Sequence, residues 1–331
     1  MLAIIVVVGI LVSIFLIWKG SDWLTDSLVP VANRLGTGYI AVTTLLISAL
    51  ISVPEIFTST YSYLQGHLDV GLGVIIGSVM INIGVTVGLS ATIRPLEVEK
   101  PVVLRDGIYL IVIALVVLLM GTDLHYTRNE GIMLLLLFIP YALNVWTFEK
   151  MRNKKSKKER VKEIEKSLNL FGDLAFLNFK PSLLTFLIGA AILVAGSYLF
   201  SWSLIAFSGM VSLPEMLIGV MIGGVGTAMP NIAAAVQGTL KGYPDAAITE
   251  TFGSNIFTLL ITLGALILIK PFSITGKLLY FDLSWMIILH ALMIAFIFKG
   301  YRYREAQITR YEGVFLMLFY LGIITANVLL F

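Results

Sequence analysis

Apolar residues run through this chain in blocks of about 20, the length a helix needs to cross a hydrocarbon layer of about 30 Å. On that ruler the pattern predicts ten spans, near residues 2–19, 38–64, 70–93, 102–122, 131–148, 182–205, 213–238, 244–269, 279–299 and 312–330. The amphipathic stretch 20–33 could extend the first. That first block has no basic leader and no small-residue cleavage site, so it reads as a retained span rather than a signal peptide. One long polar connection, residues 149–180, separates five spans from five. Val161, Ile164 and Leu168 recur in it at helical spacing, which suits a segment lying along a membrane surface.

The two sets of five are copies of one another. A shift of 176 residues superposes 20–95 on 196–271 without a gap. Under it Gly20 and Ser21 meet Gly196 and Ser197, Pro54 meets Pro230, Gly66 meets Gly242, and Asp69 meets Asp245. Further on, Gly77 and Ser78 meet Gly253 and Ser254, Thr86 meets Thr262, Gly88 meets Gly264, and Pro95 meets Pro271. A second echo, RNEG at 128–131 and RYEG at 310–313, precedes the last span of each set at a shift of 182. Five is odd, so the second copy enters the membrane in the opposite sense. The expected fold is an all-α integral membrane protein with ten transmembrane helices as two inverted five-helix repeats. The first occupies 1–148 with a core motif at 48–90, and the second 181–331 with a core motif at 224–266. Inverted repeats are a recurring plan of secondary transporters, whose substrates bind near the midplane where the repeats meet, on interrupted helices.

Polar residues inside the apolar blocks carry the candidate chemistry. In SALISVPEIFTS, residues 48–59, Pro54 lacks an N–H and its ring crowds the carbonyl four residues back. The helix is expected to break there and free the Leu50 carbonyl, and Pro230 repeats the device toward Gly226. Ser48, Ser52, Glu55, Ser59 and Ser62 recur at alternating intervals of four and three, which draws one polar stripe along one face. On the next span of each copy a second stripe recurs every four residues: Ser78, Asn82 and Thr86 in one, Glu250, Ser254, Thr258 and Thr262 in the other. A carboxylate in lipid is costly and usually serves a pathway, so Glu55 is expected to face the protein interior. Carboxylates, amides, hydroxyls and freed carbonyls are the ligands of hard cations such as Ca²⁺. The chain has no Cys and only His67, His125 and His290, a poor set for a soft transition metal.

Composition agrees with the pattern: 58% of residues are hydrophobic, 13% are charged and the mean hydropathy is +0.94. The net charge of +3 hides a local bias, because residues 149–180 hold ten of the 23 Lys and Arg. Basic residues collect on cytoplasmic loops. Residues 149–180 are therefore expected inside the cell, with both termini outside. These charges set orientation and can touch anionic lipid; they do not point to nucleic acid. Asp22, Asp26, Asp69, Asp106, Glu215, Asp245 and Asp282 fall near predicted span ends, where an interfacial or solvated place is expected.

With these motifs in hand, the chain resembles the sodium/calcium exchanger family of the calcium/cation antiporter superfamily. Members carry a G-T-S-x-P-E-like segment on one helix of each repeat and a G-S-N-like segment on the next. Here the first repeat reads LISVPE and GSVMIN, the second GTAMPN and GSNIFT, and GSDWL at 20–24 looks like the family's first helix. The resemblance covers nearly the whole chain. It implies cation antiport by alternating access, with the first helix of each half moving against the rest. The chain departs from the family where an acid is expected after the second proline, since Asn231 stands there, and where Thr258 replaces another acid. Glu250 takes a place where members often show an amide and could restore one charge; it could also sit in the vestibule on the way to the site.

Residues and resemblance together predict a plasma-membrane antiporter exchanging Ca²⁺ for Na⁺. The expected ligands are Glu55, Asn82, Asn231 and Glu250, with Ser52, Ser78, Thr227, Ser254 and Thr258. Exchange of another cation, such as Mg²⁺ or K⁺, or coupling to H⁺ with Glu55 as the proton carrier, is the alternative. A cation channel is the rival outside the carriers. No cofactor is expected, because the ions themselves are the ligands. An enzyme is not expected, since no H-E-x-x-H, G-x-S-x-G or P-loop lysine pattern occurs.

Overall fold

Inside a hydrocarbon layer backbone groups find no water, so apolar blocks of this length must fold as helices that satisfy them internally. The structure, a computed structural model, describes residues 2–27, 40–98, 100–151, 182–242, 244–303 and 307–329 and is built almost wholly of helix. The first repeat contains α1 (Leu2–Asp26), α2 (Ile40–Ile51), α3 (Val53–Leu64), α4 (Leu68–Ile93), α5 (Val103–Asp123) and α6 (Arg128–Met151). The second contains α7 (Leu183–Val211), α8 (Glu215–Leu240), α9 (Ala247–Ile269), α10 (Leu278–Lys299) and α11 (Arg310–Leu329). Helices α2 and α3 meet at 42° and together make one span, so the described residues hold the ten expected crossings. The surface-helix expectation for Val161, Ile164 and Leu168 lies outside the described residues.

Four two-residue strands tie the halves together. β1 (Leu96–Glu97) pairs with β4 (Gln307–Ile308), and β2 (His125–Tyr126) pairs with β3 (Phe272–Ser273), all antiparallel. The two sequence shifts carry β1 onto β3 and β2 onto β4, so each bridge is the image of the other, register included. The bridges sit at opposite ends of α5. An operation that exchanges the repeats therefore also exchanges the two ends of the molecule, as inversion requires. Helix packing repeats the exchange. A Cβ on Gly131 of α6 would lie 2.9 Å from the Gly264 carbonyl of α9, and one on Gly313 of α11 would lie 2.6 Å from the Gly88 carbonyl of α4. The Tyr126 hydroxyl donates to the Val117 carbonyl at 2.8 Å, and burial raises its phenol, which keeps that proton in place.

The repeats meet where α4 crosses α8. A Cβ on Gly73 would fall 2.6 Å from the Met216 carbonyl and 2.7 Å from Gly219 Cα, so only glycine permits this approach. Lipid gives helices no hydrophobic drive to associate, and close backbone contact through small residues replaces it. Helix α3 lies on α4 and α9 on α8, which gathers the four striped helices. Outside them α1 and α7 form a long pair with its own apolar cluster, Val6, Ile10, Ile17, Phe200 and Leu204, resting on Val70, Val74 and Ile218.

The carboxylates near span ends correct one expectation. Asp22, Asp106 and Asp282 are buried rather than solvated. Each has a partner within reach: Lys19 Nζ donates to Asp22 at 2.9 Å, Arg105 donates twice to Asp106 at 2.6 Å, and the Asn327 amide donates to Asp282 at 2.5 Å. A charge is tolerated out of water when it is paired and hydrogen-bonded, and these neighbours supply that at the span ends. Glu215 pairs with His67 at 2.6 Å, half-buried; Asp26 is half-buried and Asp69 exposed, while the Asp245 side chain lies outside the described residues.

Candidate cation site

Glu55 sits where one span is cut. The span bends at Ser52, with φ −89° and ψ 3°, although Ser52 still accepts from the Ile56 N–H and donates to the Ser48 carbonyl, and α3 starts at Val53, so Pro54 lies in the first turn of a new helix. The expected break is therefore real but two residues earlier than the proline. In the first turn the missing N–H of proline costs nothing, because first-turn N–H groups have no helical partner. The result is a helix N-terminus inside the molecule with Glu55 in its opening turn, where the free N–H groups and the helix dipole favour negative charge.

The second copy behaves differently, and here the expectation fails. Helix α8 continues through Pro230 without a break. The irregularity lies upstream, in a π-helical segment at Gly219–Gly223. Glycines at 219, 223, 224 and 226 let that backbone adjust around the proline ring, which the apolar, partly β-branched run before Pro54 cannot do. Asn231, the counterpart of Glu55, accordingly rides on a continuous helix.

On the next span of each copy the helix widens into a π segment at the polar stripe, Asn82–Val87 in α4 and Thr258–Thr262 in α9. The i→i+5 closure of a π turn holds more residues per turn than an α turn. It therefore offsets the drift of a four-residue repeat and keeps Asn82 with Thr86, and Thr258 with Thr262, near one face.

Hydrogen bonds join these parts. The hydroxyls of Ser52 and Ser254 are 2.9 Å apart, and Asn231 Nδ2 donates to Ser254 Oγ at 3.4 Å. Asn82 Nδ2 donates to Asn255 Oδ1 at 2.9 Å. Ser78 and Thr227 donate back to their own helices, to the Ile75 and Gly223 carbonyls at 3.0 and 3.1 Å, which leaves their oxygens free only to accept. Left without a hydrogen-bond partner, and buried, are both oxygens of Glu55, Asn82 Oδ1, Asn231 Oδ1 and Thr258 Oγ1. Unsatisfied buried oxygen is expensive. Five such atoms on four packed helices form a set for which a hard cation is the natural partner.

Glu250 differs from the rest. It is half-buried on α9, one turn before Ser254, and the bonds joining Ser52, Ser254, Asn231, Asn82 and Asn255 do not run through it. Among the described residues no three His, Asp or Glu side chains are grouped to hold one ion, so the enclosed set is one carboxylate with neutral oxygens. Asn255, the amide of GSNIFT, is not among the expected ligands. It is fully buried and bonded to Asn82, yet it falls one place off the four-residue stripe, and its counterpart in the first repeat is Val79.

A sequence profile described as sodium/calcium exchanger protein matches residues 5–147 and 181–329, the two repeats without the connection between them. The chain belongs to the sodium/calcium exchanger family. Among relatives of this exchanger, the sodium/calcium exchanger MaX1 of Methanosarcina acetivorans is 26% identical over 93% of this chain and 94% of its own. The inner membrane protein YrbG of Escherichia coli is 25% identical over 79% of each chain. Among solved structures, the sodium-calcium exchanger NCX_Mj soaked with 2.5 mM Na⁺ and 0.1 mM Ca²⁺ superposes with a TM-score of 0.65 over 97% of this chain and 98% of that one. At 22% identity that likeness is one of fold.

Proposed function

We propose that this exchanger moves Ca²⁺ against Na⁺ across the cell membrane by alternating access, at a midplane site centred on Glu55. The observation that carries the proposal is Glu55 itself, a carboxylate with no exposed surface and no hydrogen bond to either oxygen. A protonated carboxyl acting as glue between helices would donate to a partner, and Glu55 has none. Its ligand partners in this reading are Asn82, Asn231 and Glu250, with Ser52, Ser78, Thr227, Ser254 and Thr258. One set of oxygens holds one load at a time. An empty charged site is costly to carry through a closed, dry intermediate, so the return step waits for the counter-ion.

In this reading 1–148 and 181–331 are the two repeat units, 149–180 lies in the cytoplasm and both termini are outside. The α1–α7 pair, packed as its own cluster, is the part suited to slide over α4 and α8. The names of MaX1 and NCX_Mj support Na⁺ and Ca²⁺ as the ions. A second reading, H⁺ in place of Na⁺, is favoured by the single enclosed carboxylate, which suffices to carry one proton.

Purified protein in proteoliposomes decides between them. An outward Na⁺ gradient should drive saturable ⁴⁵Ca²⁺ uptake, while a pH gradient alone should not. Uptake driven by H⁺ and indifferent to Na⁺ would replace the first reading with the second. Unsaturable flux without counter-transport would point to a channel.

A further inference from the structure

One polar cluster adjoins the site without belonging to the ligand set. His290, on α10, is fully buried, and its Nδ1 lies 2.6 Å from the Met286 carbonyl. A carbonyl only accepts, so Nδ1 carries the proton and the neutral ring keeps a lone pair on Nε2. Asn255 Nδ2 stands 3.5 Å from that lone pair and 3.1 Å from the Val79 carbonyl. Both neighbours are acceptors, so the NH₂ of Asn255 points to them and its Oδ1 points away. Oδ1 then accepts from Asn82 Nδ2 at 2.9 Å. With its NH₂ engaged, Asn82 has its buried, unpartnered oxygen left to offer. Were the Asn255 amide reversed, its oxygen would meet two acceptors, and Asn82 would have to turn its NH₂ toward the cation.

We propose that His290 and Asn255 are positioning residues that hold the Asn82 amide with its oxygen toward the transported cation. This rests on Asn82 being a ligand, as proposed above. The fold does not need the Asn255 end of the relay: the shift of 176 residues carries Asn255 onto Val79, an apolar residue that is fully buried. One repeat thus builds with side-chain polarity what the other fills with hydrocarbon, and the polar version is the one that touches a candidate ligand.

Ca²⁺ uptake against a Na⁺ gradient in proteoliposomes tests the relay. His290→Leu should raise the half-saturating Ca²⁺ concentration roughly five- to tenfold, as loss of one orienting hydrogen bond allows, while the maximal rate stays within about twofold. His290→Gln, whose amide oxygen can accept from Asn255, should return it to within about twofold of wild type. In an Asn82→Asp background either carboxylate oxygen can serve the cation, so His290→Leu should carry no further penalty. A wild-type Ca²⁺ dependence in His290→Leu, equal losses in the Leu and Gln variants, or an undiminished penalty in the Asn82→Asp background would overturn the relay. Asn82→Ala separates the two claims. Wild-type Ca²⁺ dependence there removes Asn82 as a ligand and with it that part of the site. A weakened Asn82→Ala beside a normal His290→Leu removes the relay alone. If His290→Leu does not purify as a monodisperse protein, Asn255→Val carries the same expectation and the same overturning result.

Discussion

In the first repeat the span bearing the proline is cut into α2 and α3 and opens onto a carboxylate; in the second the matching span runs unbroken through Pro230 and presents an amide. The next spans differ too, with Asn82 opposite Thr258 and Val79 opposite Asn255. Two copies of one scaffold have thus divided the work. In the proposed reading one brings the charge, a helix end to stabilise it and Asn82, and the other brings further neutral oxygens and the polar support that aims Asn82. The scaffold itself, with its reciprocal bridges at β1–β4 and β2–β3 and its paired glycine contacts, stays symmetric. The repeat sequence therefore specifies the frame, and the departures from repetition specify what the frame holds.

Removing the charge breaks this division most severely. Glu55→Gln keeps the shape and hydrogen-bonding reach of the side chain but leaves the enclosed set neutral. A buried charge pair that loses one partner costs about 3–5 kcal/mol. Exchange should accordingly fall more than about a hundredfold, measured as Na⁺-driven ⁴⁵Ca²⁺ uptake. Wild-type uptake by this variant would take away the central ligand. The matching change in the other half, Asn231→Gln, keeps an amide and should cost far less.

Restoring symmetry is the next largest change. Asn231→Glu puts an acid after both prolines, and a second carboxylate near the first favours a higher cation load. Na⁺ activation should become steeper, and its half-saturating concentration should fall about tenfold. An unchanged Na⁺ dependence would mean that the missing acid at 231 does not explain the site's chemistry.

Much of this could be read from the chain before its fold was known, and what could not has a physical cause. Ten spans and the repeat were legible because hydrocarbon thickness fixes helix length and because glycines at tight crossings, such as Gly88 and Gly264, cannot drift. The burial of Glu55 was legible because a carboxylate facing lipid is costly. Asn255 was visible as the amide of GSNIFT but drew no role, since a search for symmetric partners or for a four-residue stripe both pass over it. The buried Asp22, Asp106 and Asp282 were misplaced because position near a span end says nothing of the Lys19, Arg105 or Asn327 that closes over each. The site of helix interruption was missed at Pro230, where the glycine-rich approach to the proline decides the outcome more than the proline does.

That last contrast yields the smallest and most specific expectation. Proline 54 opens α3, and with alanine there residue 54 would regain an N–H for the Leu50 carbonyl, which favours joining α2 to α3 and straightening the 42° bend. Glu55 would then leave its helix N-terminus, so Pro54→Ala should weaken Ca²⁺ dependence roughly three- to fivefold. Pro230 already lies inside a continuous helix, so Pro230→Ala has nothing to straighten. It should leave transport within about twofold of wild type and raise the melting temperature by about 2–4 °C, because a ring clash is removed and a helical bond to the Gly226 carbonyl gained. Equal effects of the two substitutions would show that the break at Ser52 does not set the position of Glu55, and that the charged half owes its role to residue identity alone.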